Sequence, residues 1–92
     1  MNKQEFFLHK LREESDEIGK AAAKMMEFGP RSINPATGNT NREELTEEIN
    51  HLYAAIEQCI ELGLIDRCDN DVVEAKKQKV NHYYELHLKN SA

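Results

Sequence analysis

Both prolines of this sequence and two of its four glycines fall within one stretch, Gly29 to Asn41 (GPRSINPATGNTN), and the chain divides around it. Proline lacks the backbone N–H that a helix needs, glycine opens positive φ, and asparagine caps turns on its own backbone. The stretch is therefore predicted to be a loop between two helical segments, of a length that in small domains is usually functional or mobile.

Upstream, only Gly19 weakens a helix between Asn2 and Phe28, and Phe7, Leu11, Ile18, Ala22 and Met25 recur at spacings of three, four or seven. That periodicity predicts one long helix, ended by Gly29-Pro30. Downstream, Thr40 or Asn41 can cap a second helix, with Glu43 and Glu44 favoured in its first turn by the helix dipole. Leu45, Ile49, Leu52, Ile56 and Ile60 form its apolar stripe, and Gly63 marks its end. After the connection LIDRCDN, Asp69 or Asn70 can cap a third helix running roughly from Asp71 to Leu88. Its apolar side is Val72, Val73, Val80, Tyr83, Tyr84 and Leu88, while Lys76, Lys77 and Lys79 keep much of the rest in water. The expectation is an all-α fold over residues 1–92, a single domain made of a helical hairpin with the third helix packed across it.

With 17 acidic against 12 basic residues and a pI near 5.3, a surface that neutralises many nucleic-acid phosphates is not expected. A small anionic ligand would need a metal bridge to approach carboxylates. Cys59 and Cys68 have no CxxC spacing, and no signal peptide or apolar run of membrane-spanning length is present. They read as reduced thiols, small and buried or half-buried, in a cytoplasmic protein without a membrane partner.

Glu14 falls in the gap of the first stripe, three residues after Leu11 and four before Ile18. A carboxylate on a core-facing line is costly unless paired or bound to metal, which sets Glu14 apart from Glu5 or Glu27. Glu17 lies one turn on. On the second helix Glu48 falls between Leu45 and Leu52, His51 is three residues further, and Glu44 and Glu47 are close by. If the helices pack antiparallel, Glu14, Glu17, Glu48 and His51 can converge on one cavity, an oxygen-rich set suited to Mg²⁺ or Mn²⁺. Against this, 13 glutamates in a helical chain make ExxE pairs by chance, most of them solvated faces, and His51 can be an ordinary hydrogen-bonded histidine.

The segments LREESDEIGKAAAKMMEFG, INPATGNTNREELTEEINHLYAAI and VVEAKKQKVNHYY resemble the small phage-type MazG-like proteins of the all-alpha NTP pyrophosphatase superfamily, over most of residues 8 to 84. In that family an EExxE on the first helix and an ExxD on the second bind divalent metal. EESDE at residues 13–17 matches the first motif, implying Glu14 and Glu17 as ligands. The second motif, which in the family reads like EELGD, is EEINH here, so Glu48 is kept and His51 stands in place of the aspartate. Imidazole is a poor Mg²⁺ ligand and an acceptable one for Mn²⁺, Zn²⁺ or Fe²⁺. The change implies a shifted metal preference, a weaker site, or a protein that binds nucleotide without cleaving it.

The resemblance further implies Lys79 and Asn81 as residues facing the phosphates, with Lys24 a comparable candidate, and Phe28, Ile33 and Asn34 for the base. It implies a homodimer completing a four-helix bundle from two hairpins, or a homotetramer. The expected function is metal-dependent hydrolysis of a nucleoside or deoxynucleoside triphosphate to monophosphate and pyrophosphate, with catalytic Glu14, Glu17 and Glu48, for nucleotide-pool control. The alternatives are a nucleotide-capture protein on the same fold and a purely structural helical module.

Overall fold

A computed structural model describes residues 1–91 and contains three helices, α1 (Lys3–Phe28), α2 (Asn41–Glu61) and α3 (Asn70–Asn90). Each begins at a side chain that takes up a free backbone N–H: Asn2 accepts from Glu5, Thr40 from Glu43, and Asp69 from Asp71 and Val72. At α2 the Glu43 carboxylate also reaches back to the Thr40 N–H at 3.1 Å, which completes a reciprocal capping box.

α1 and α2 form an antiparallel hairpin pinned at both ends. The Cys59 thiol, near the end of α2, faces the Phe7 carbonyl at 3.8 Å near the start of α1. At the other end Asn41 Nδ2 donates to the Gly29 carbonyl at 3.0 Å. The loop between them carries its own hydrogen bonds, with Asn34 N–H donating to Asn39 O and Gly38 N–H to Asn34 O, both at 2.8 Å. Ile33 and Thr40 pair as a single antiparallel bridge, and Gly38 turns the chain at φ 77.

Among the described residues only Ala55, Cys59 and the polar Asn41 are buried. Asn41, Glu48 and Ala55 are spaced by seven, so small or polar residues occupy the line where the two backbones approach. The expected stripes, Leu11, Ile18 and Met25 on α1 and Ile49, Leu52 and Ile56 on α2, are only half-buried. Two helices bury a seam between them, and the flanking large side chains wait for a third layer.

The expectation that the third helix packs across the hairpin is not met: among the described residues α3 makes no packing contact with α1 or α2. The exit from α2 explains the departure. Gly63 at φ 73 donates to Ile60 O and Leu64 N–H reaches back to Cys59 O, a left-handed helix stop that fixes the chain's direction before the irregular residues 66–69. The radius of gyration is 16.6 Å, against about 12 Å for a compact domain of this length. No described helix is long and apolar enough to cross a membrane. Both cysteines are free, Cys59 buried and Cys68 exposed rather than half-buried.

Candidate metal centre

The heptad spacing that puts Glu48 on the α2 seam has a counterpart on α1, where Phe7, Glu14, Ala21 and Phe28 are also spaced by seven. Antiparallel packing brings the two glutamates together. Glu14, Glu48 and His51 each offer one donor atom within 4.8 Å of the others. His51 Nδ1 lies 3.8 Å from a Glu14 oxygen and 3.7 Å from a Glu48 oxygen. Its Nε2 lies 3.8 Å from Glu47, one turn back on the same helix. The side chains of Glu14 and Glu48 are each 27% exposed, so the trio is open to a small ion from solvent.

Donors on opposite sides of an ion held at about 2.1 Å are about 4.2 Å apart, so the three side chains fit a divalent cation after small rotamer shifts. Two oxygens and one imidazole suit Mn²⁺, Fe²⁺ or Zn²⁺ better than Mg²⁺, which favours oxygen donors throughout.

Glu17, expected as a fourth ligand, lies outside this trio. Lys20 approaches it at 3.4 Å, and it lines an adjoining concavity of about 130 Å³ with Lys24, Asn41, Glu44 and Glu48. Glu13, the first residue of EESDE, faces away on α1, where the Lys10 ammonium beside it and His9 hold its carboxyl below the usual range.

Sharing Lys24 and Asn41 with that concavity, and forming a shallow trough with it, a second pocket of about 260 Å³ brings Phe28, Ile33 and Asn34 together with Ser32 and Pro35. Phe28 and Ile33 are more than half exposed, so apolar surface is open there. Asn34 is committed to the loop itself: its Oδ1 accepts from the Ala36 N–H at 3.0 Å. On the far side of the trio a concavity of about 350 Å³ is lined by Lys10, Glu14, His51 and Gln58.

Lys79 and Asn81 are not brought to this site within one chain. Both lie on α3, where Lys79 sits 6.0 Å from the Tyr83 ring. The sequence reading missed Lys20 and the walling role of Asn41. The spacing of seven from Asn41 to Glu48 and Ala55 was the available signal for the latter.

Glu44 anchors the loop beside the trough. The Thr37 hydroxyl, donating at 2.8 Å, holds the Glu44 carboxyl below its ordinary value of 4.5, with Asn34 and the Lys24 charge adding to the effect. A carboxyl lowered by folding stabilises above its unfolded pKa, and that contribution is lost as pH falls through the folded value. Amide protection in residues 34–39, measured against the intrinsic exchange rate, should therefore fall as pH drops through the range below Glu44's ordinary value, and Thr37→Val should remove that dependence. An unchanged acid response in the variant would show that Glu44 does not hold the loop.

No protein-family model, curated protein or solved structure matches this chain.

Proposed function

We propose that this chain is a divalent-metal-dependent nucleoside or deoxynucleoside triphosphate pyrophosphohydrolase, releasing monophosphate and pyrophosphate. The observation that carries the reading is a row of adjoining depressions: Glu48 of the Glu14–Glu48–His51 trio also lines the one with Lys20 and Lys24, which in turn shares Lys24 and Asn41 with the apolar pocket at Phe28 and Ile33. Its order of chemistry follows that of a nucleotide, with phosphates at the charged end and base at the apolar one. The sequence resemblance to MazG-like proteins supports the same direction.

In this reading Glu14, Glu48 and His51 hold the cation. A bound divalent ion neutralises phosphate oxygens and makes water a better nucleophile. Glu17, near Glu48 and outside the trio, takes the water's proton. Lys24 balances phosphate charge, Phe28 stacks on the base with Ile33 beside it, and Asn34 shapes the pocket wall. The working unit is a dimer, or a dimer of dimers, in which two hairpins complete a four-helix bundle.

The test is pyrophosphate release from a panel of ribo- and deoxyribonucleoside triphosphates with Mg²⁺ and then Mn²⁺, using Glu14→Gln as the control. Release that vanishes in the control supports the reading. Intact nucleotide recovered from the protein would favour capture without turnover, a reading suggested by His51 standing where the resembling family has an aspartate.

The imidazole also sets an order of metals. Mn²⁺ should support a higher rate than Mg²⁺, and His51→Asp should raise the Mg²⁺ rate roughly 10-fold, a typical size for a change at a metal's surroundings. A fall in both rates would mean that His51 is the required ligand.

A further inference from the structure

α3 is as long as α2, 21 residues each, yet among the described residues it packs on neither α1 nor α2. Val72, Val80, Tyr83, Tyr84 and Leu88 are all at least half exposed on it. The hairpin lacks a third layer, and α3 lacks a surface to lie on. The accessible surface totals 7513 Å², whereas a compact monomer of 10.6 kDa exposes about 5,500 Å². The excess, about 2,000 Å² per chain, exceeds the roughly 800 Å² per partner of an ordinary complex and falls in the range of obligate dimers.

Charge identifies the occupant. Lys76 and Lys77 stand among the valines of the apolar face, lining one shallow depression with Val72, Val73 and Val80. A partner for that face must offer apolar side chains edged with carboxylates. Residues 1–65 carry 12 acidic and 7 basic side chains, whereas α3 carries 3 acidic and 4 basic. The hairpin of this same sequence has the required chemistry, and the turn at Gly63 directs α3 away from its own copy.

We propose that α3 is an exchange arm, which docks along the hairpin of a second copy while that copy's arm docks in return. Such an arm would be needed whether or not the trough hydrolyses nucleotide. Exchange of identical elements is a low-cost route to a dimer when a short connection holds the element off its own core.

The experiment uses the full chain. Sedimentation equilibrium should give about twice the 10.6 kDa chain mass or a multiple of it, and a monomer would overturn the proposal. ¹⁵N-labelled chain is then refolded with unlabelled Cys68→Ser, Gln78→Cys chain carrying a nitroxide at position 78, on the side of α3 opposite the apolar face. Broadening of α1 and α2 amides in the labelled copy is expected. Broadening confined to α3 amides would mean that the arms pair with each other, and no broadening would mean that each arm folds back on its own hairpin; either overturns the exchange. Val80→Asp combined with Tyr84→Asp, both at exposed positions, should convert the assembly to monomer, and a double variant that stays dimeric would also refute it.

Discussion

Replacing Glu48 by Gln should abolish the stabilisation by Mn²⁺ and lower nucleotide turnover by at least about 100-fold, since loss of a ligand should exceed the 10–100-fold typical of second-layer partners. The substitution keeps the shape of a side chain on the α2 seam and removes only its charge. Without metal, Glu14, Glu47 and Glu48 crowd one imidazole, so the variant in a chelator should be as stable as the parent or slightly more so. With Mn²⁺ at about 100 times its Kd, linkage should stabilise the parent by about 2.7 kcal/mol and leave the variant unmoved. Thermal melts with and without Mn²⁺ check both signs. A variant destabilised equally in both conditions would mark Glu48 as a structural residue.

Asn41→Ala should produce the largest loss of stability from a single polar side chain. Asn41 is 7% exposed and its amide donates to the Gly29 carbonyl, tying the end of α1 to the start of α2. Removing the donor leaves a part-buried carbonyl unpaired, at a cost of about 1–3 kcal/mol. For a domain of this size that lowers Tm by roughly 4–8 °C per kcal/mol. Asn41 also walls both the Glu17 concavity and the Phe28 pocket, so nucleotide affinity should fall with stability. A melt within one degree of the parent would show that the loop's own hydrogen bonds suffice to close the hairpin.

The hairpin was legible because its signals are local. Thr40 with Glu43, Asp69, and the Gly29-Pro30 stop act within a few residues, and the structure uses each of them. Glu14 and Glu48 were legible for the same reason, since both interrupt stripes whose period is set by the helix. Glu17, one turn from Glu14, falls on a flank that spacing alone does not separate from the seam.

Other features depend on paths that no period encodes. Phe28, Ile33 and Asn34 meet because Asn34 and Gly38 fold the loop back to the end of α1. An apolar stripe on α3 shows that a face requires cover, yet not whose surface supplies it. Lys79 and Asn81 were accordingly expected beside the trio and lie on the free arm. The small residues at the seam, Ala55 and Cys59, carried less hydrophobic signal than the isoleucines beside them, although they are the buried ones.

The central claim is that Glu14, Glu48 and His51 form a metal centre, and anomalous scattering from crystals grown with Mn²⁺ tests it most directly. The account predicts one strong manganese peak within about 2.2 Å of a Glu14 oxygen, a Glu48 oxygen and a His51 nitrogen, absent in Glu48→Gln. Manganese bound elsewhere, or no peak at millimolar metal, would contradict it.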